Sequence, residues 1–122
     1  MTTRNQLHGL LAASLMLLGS LIVSAAAEPI LGRWAIDPEG CKVEGDTAET
    51  APLFVTQNTV KWFVAHCRIG KSYKIGKALH IQARCTGEGE RYTIPITLDL
   101  VEPNRLAVTW DKSRVKDMMR CR

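Results

Sequence analysis

A run of uncharged, mostly apolar residues ending in Ser24-Ala25-Ala26-Ala27, with four cysteines after it, limits what this chain can fold into more than any other feature. Arg4 and His8 precede the run, which extends from Leu10 to Val23. A basic start, an apolar middle and an A-x-A site of small residues are the parts of a cleavable export signal. The run is well short of the ~20 residues that a bilayer span needs, and Gly19 and Ser20 interrupt it. Residues 1–27 are therefore expected to be removed, leaving Glu28 as the mature N-terminus and a periplasmic or secreted protein. In such a compartment Cys41, Cys67, Cys85 and Cys121 can oxidise. Residues 28–122 suffice for one domain, and a domain of this size buries only about 60–65% of its unfolded surface. Two disulfides would each add about 2–4 kcal/mol.

Beyond the signal, short runs of alternating apolar and polar residues are separated by turn chemistry. Leu31 to Ile36 reads as a first strand, stopped by Asp37-Pro38-Glu39-Gly40. The acidic stretch from Cys41 to Thr50 has no period and reads as a loop. Leu53–Thr56 and Thr59–Val64 flank Gln57-Asn58, a hairpin in which Asn58 is expected at positive φ. Leu79, Ile81, Ala83 and Cys85 alternate with polar residues, as do Tyr92, Ile94, Ile96, Leu98 and Leu100, and then Leu106, Val108 and Trp110. Pro95 has no N–H to give, which places it at an edge or a bulge. Val115 to Arg122 reads as a last strand in preference to a short helix. Seven or eight strands joined by tight turns predict an all-β fold, a small antiparallel up-and-down barrel, with a flattened two-sheet sandwich as the alternative. Inward Leu, Ile, Val, Trp and Met should fill most of its lumen.

Four cysteines allow three pairings. Cys85 shares the phase of Leu79 and Ile81, and Cys121 that of Val115 and Met119, so both are expected to face one core. Cys41 opens the acidic loop, which a bond to Cys67 would pin to the sheet. These phases favour Cys41–Cys67 and Cys85–Cys121. Zinc is a poor alternative, because no C-x-x-C pair occurs and exported thiols oxidise.

Few residues carry reactive chemistry. Histidines 66 and 80 remain after the signal. His66 adjoins Cys67, but strand neighbours face opposite sides, which separates a nucleophile from its base. His80 falls on a polar strand face. The carboxylates Asp37 and Glu39, and Glu88 and Glu90, lie in glycine-containing turns and not across a cleft from one another. Asp37, Glu39, Glu44 and Asp46 lack the ligand spacing of a calcium loop, and no glycine loop leads into a helix to cradle phosphate. The chain is read as a non-enzyme with no cofactor and no metal.

Charge and aromatic residues point to contact instead of catalysis. Residues 28–58 carry Arg33 and Lys42 against six acids, whereas residues 59–122 carry thirteen lysines and arginines against six acids. A basic second half reads first as the solvated exterior of a barrel and also suits an anionic surface or an acidic envelope protein, while the export signal and the lack of a recognised module argue against nucleic acid. Trp34 and Trp110 share the phase of apolar neighbours and read as core. The Trp62-Phe63 pair and the basic residues Arg68, Lys71, Lys74 and Lys77 form the expected contact surface.

Gly32-Arg33-Trp34, opening the first strand of a basic-ended β chain, resembles the G-x-W start of lipocalin-type barrels. The resemblance implies a tryptophan that closes one end of the barrel against an arginine of the last strand, here Arg120 or Arg122. In size and layout the chain is similar to small periplasmic barrel inhibitors of proteobacteria, and its cysteine cadence to uncharacterised exported proteins of alphaproteobacteria. Small size, disulfide stiffening, a basic second half and a filled lumen point to an exported binding or inhibitor-type module that acts through its surface and loops. The alternatives are a small hydrophobic-ligand carrier and a structural envelope protein.

Overall fold

The computed structural model describes residues 28–45 and 50–122. The export segment 1–27 and the loop acids Asp46 and Glu49 lie outside the described residues. Among the described residues nine strands follow in chain order: β1 (Gly32–Ala35), β2 (Leu53–Val55), β3 (Thr59–Trp62), β4 (Ala65–Ile75), β5 (Ala78–Gly87), β6 (Glu90–Glu102), β7 (Arg105–Trp110), β8 (Ser113–Arg114) and β9 (Met118–Arg120). Each strand from β1 to β7 pairs antiparallel with the next, and β9 pairs with both β7 and β1, which closes the sheet on itself. The result is a closed eight-strand barrel in which β8 and β9 are two pieces of the last stave. Closure leaves no long unpaired edge, which is why alternating strands of this length are stable without a covering helix.

The lumen is filled, as the alternation predicts. Trp34, Leu53, Val60, Ile96, Leu98, Leu106, Val108 and Met118 are all essentially inaccessible to solvent. Pro95 lies where β6 outruns β7: pairing with β7 begins at Ile96 and Trp110, and the Pro95 carbonyl accepts from Asp111 N–H at 2.9 Å. The missing N–H thus falls at the end of the ladder, where no partner strand needs it. Asn58 does not take up positive φ; the Thr56 hydroxyl accepts from the N–H of Asn58 and Thr59 and organises that turn instead. The acidic stretch read as a loop begins inside a 3-10 turn, Pro38–Lys42, capped by the Asp37 carboxylate on the Glu39 N–H at 3.1 Å.

The favoured disulfide pairing is corrected. Cys41 bonds Cys121 and Cys67 bonds Cys85. Two irregularities explain the difference. Between β8 and β9 the residues 115–117 leave the strand, so that Met118 is fully buried while Met119 is 45% exposed. The alternation carried forward from Val115 therefore assigns Cys121 to the wrong face. Cys121 lies on the outer side, within reach of Cys41. In β4 the residues Gly70 and Lys71 oppose Gln82 alone, a β-bulge between Ile69 and Ser72. Continued without the bulge, the register would set Cys67 against Thr86. The extra residue sets it opposite Cys85, with Cα atoms 3.9 Å apart and both side chains inside the barrel.

One end of the barrel is clasped shut. A 3-10 turn, Glu28–Ile30, crosses it and buries Ile30. The Trp34 indole donates to the Ile30 carbonyl at 2.9 Å, and the Arg120 guanidinium lies 4.2 Å over the Trp34 ring. Arg120 also donates to the carbonyls of Leu31 at 3.0 Å and Pro29. Gly32 has φ +127°, and a Cβ there would come within 3.4 Å of the Arg120 guanidinium. A side chain at position 32 would thus strain the backbone, while its Cβ would only touch the clasp.

Candidate functional site

The six residues expected to form one contact surface lie in two regions. Trp62 and Phe63 sit at the end of β3, beside the turns Glu88-Gly89 and Asp111-Lys112. Lys74 and Lys77 flank the β4–β5 turn at the clasped end. At roughly 3.3 Å per residue, some 30 Å of β4 separates them from Phe63. Arg68 and Lys71 lie between.

The first region is a basic arm formed by β4 and β5. From Thr50 to Gly87 the chain carries six lysines and arginines and no aspartate or glutamate. Every residue from Gly70 to Lys77 is exposed, and Tyr73 and Ile75 are more than 60% exposed. Arg68 stands directly opposite Arg84. Like charges facing each other across strands repel, and among the described residues no acid pairs with either. A surface cavity of about 490 Å³ opens beside them, lined by Gly70, Lys71, Gln82, Arg84 and Thr93. A second, of about 360 Å³, runs along Lys71, Tyr73, His80, Pro95 and Thr97. His80 stacks on Tyr73 with ring centroids 5.0 Å apart, and its Nδ1 lies 3.2 Å from the Thr97 hydroxyl. Sequence reasoning missed Arg84, Tyr73 and His80 as members of this face, because only the β4–β5–β6 register brings them beside Lys71. The run of residues without an acid was the available signal.

The second region is the unclasped end, here called the mouth. Trp62 and Trp110 both point inward and meet edge-to-face, with ring centroids 5.2 Å apart. Trp110, which the sequence assigned to the core, is only partly buried. Phe63, Val64, Ala65 and Tyr92 complete a cavity of about 350 Å³ with the two tryptophans. Tyr92 is held above the usual tyrosine range, first by burial and then by the carboxylates of Glu88, Asp111 and Glu90. Gly87 lets the strands close here, since a Cβ would meet the Val64 carbonyl at 3.1 Å and the Tyr92 hydroxyl at 3.2 Å. Phe63, Glu88, Asp111 and Lys112, the non-glycine residues at positive φ among the described residues, all lie in the three turns around this mouth. Such backbone costs of order 1 kcal/mol or more per residue, least for Asp, and persists where the surrounding structure enforces it.

His66 points outward and Cys67 inward, as their neighbouring strand positions require. Cys67 is bonded to Cys85. In comparison with known proteins, no protein-family model, curated protein or solved structure matches the chain.

Proposed function

We propose that this chain is an exported, non-enzymatic binding module, of inhibitor or adaptor type, that recognises an anionic partner in the cell envelope through the outer face of its β4–β5 arm. The observation that carries this reading is the unneutralised arm itself: Arg68, Lys71, Lys74, Lys77 and Arg84, with Tyr73 and Ile75 exposed among them. Cations beside exposed aromatic and aliphatic side chains combine long-range attraction with contact area. A rigid, disulfide-stapled barrel loses little entropy when such a face is engaged.

Two disulfides suit an oxidising compartment, in keeping with removal of residues 1–27. Among the described residues no helix is long and apolar enough to cross a membrane. The Arg120–Trp34 contact supports the resemblance to lipocalin-type barrels, with Arg120 as the arginine of the last strand. The filled lumen counts against a hydrophobic-ligand carrier, because Val60, Ile96, Leu98, Leu106 and Met118 occupy the space a ligand would take. The non-enzymatic reading draws on the opposed directions of His66 and Cys67 and on the position of His80 outside the barrel.

The test is affinity capture from an envelope extract, comparing the oxidised protein with a K71E/K74E/K77E variant. The expected result is a partner retained by the wild type, lost at least tenfold in the variant, and released by raised salt. Equal retention by both proteins, or nothing retained above background, overturns the proposal.

A further inference from the structure

The mouth has a chemistry opposite to that of the arm. Its cavity is walled by four aromatic residues, Trp62, Phe63, Tyr92 and Trp110. Aromatic faces carry partial negative charge and attract cations, tryptophan most strongly. The edge-to-face contact of Trp62 with Trp110 leaves ring surface open to the cavity, where a parallel stack would hide one face of each ring. Around this wall stand Glu88 and Asp111 in the turns and Glu90 at the first residue of β6. Lys112 shares a turn with Asp111, and Arg91 stands on the outer face of β6 opposite Thr86. Burial first, and then the carboxylates of Glu88, Asp111 and Glu90, hold the proton on the Tyr92 hydroxyl. Three carboxylates thus stand at the cup, although the chain as a whole carries a net charge of +4.

We propose that the mouth formed by Trp62, Phe63, Tyr92 and Trp110, rimmed by Glu88, Glu90 and Asp111, is a binding site for a lysine or arginine side chain projecting from a protein partner. The volume fits one long side chain. The rim favours a hydrogen-bonding cation over a quaternary ammonium, because carboxylates accept hydrogen bonds that only an N–H donor can give. The aromatic wall takes the aliphatic stem while the charged head reaches the rim. The inference rests on the reading of the domain as a binding module but concerns a second site, with a ligand of the opposite charge.

The experiment is an NMR titration of the purified oxidised protein with the capped peptides acetyl-Gly-Lys-Gly-amide and acetyl-Gly-Arg-Gly-amide. The same peptide with norleucine and tetramethylammonium chloride serve as comparisons. The expected result is saturable movement of the Trp62 and Trp110 indole N–H signals by the lysine or arginine peptide, with the Trp34 signal unmoved. An E88Q/D111N variant should bind at least threefold more weakly. Both changes keep the side-chain shape on exposed turns, and asparagine tolerates the positive φ of position 111. Trp110→Leu should abolish the response, with the Trp34 signal reporting that the barrel remains folded. Equal shifts by the norleucine peptide would reduce the site to an apolar cup and overturn the proposal. Binding of tetramethylammonium alone, or no response to any probe, would overturn it too. These probes are pure compounds, so failure here is distinct from failure of capture through the arm.

Discussion

Alanine at both Cys41 and Cys121 is expected to lower the unfolding free energy of the oxidised domain by about 4–5 kcal/mol. The bond joins residues 80 apart in sequence, nearly the whole domain. In the chain-entropy account, closing a loop of that length in the unfolded chain accounts for about 4.5 kcal/mol, against about 3 kcal/mol for the 18-residue separation of Cys67 and Cys85. Small domains have total stabilities toward the lower end of about 5–15 kcal/mol. The C41A/C121A protein should therefore be largely unfolded in modest denaturant, with the second disulfide intact. Urea unfolding of the two proteins under oxidising conditions checks this. A loss below about 1 kcal/mol would mean that the long bond merely decorates a barrel that closes without it.

Trp34→Ala is expected to cost about 3–5 kcal/mol, the range for emptying a large buried aromatic site. Trp34 is wholly buried, its indole N–H is bonded to the Ile30 carbonyl, and it supports the guanidinium of Arg120. Removing it leaves a cavity under the 3-10 turn and takes away the surface on which Arg120 rests. Arg120→Met keeps much of the side-chain stem but loses the hydrogen bonds to Leu31 and Pro29, so a smaller cost of about 2 kcal/mol follows. In the double variant the two losses should add to less than their sum, because both act on one clasp. Independent, additive losses in thermal or urea unfolding would show that the clasp is not a unit.

The architecture was legible wherever a strand alternates without interruption. Leu79 to Cys85 and Tyr92 to Leu100 follow period two because one face is buried and the other is wet, and the barrel preserves that phase. β4 was not legible, because from Gly70 to Ile75 both of its faces meet solvent and burial imposes no pattern. The disulfides were not legible for a related reason. Each depends on one irregularity, the bulge at Gly70-Lys71 or the break at residues 115–117, and a single extra residue reverses every later assignment of face. Trp62 and Phe63 were marked because both faces of their run are partly apolar beside Lys61. Their neighbours Tyr92 and Trp110 come from strands distant in sequence, so only closure of the barrel shows that the four rings share one cavity.

A filled barrel engages its partners through its outer face and its mouth, whereas a carrier must open its lumen. Amide chemical-shift mapping of the oxidised protein, with hexaglutamate and separately with dodecanol, distinguishes the two. Hexaglutamate is expected to shift the amides of Arg68, Lys71, Tyr73 and Arg84, and dodecanol to leave those of Val60, Ile96, Leu98 and Leu106 in place. Saturable movement of the lumen amides by dodecanol, with a silent arm, would instead identify a carrier that opens to its ligand.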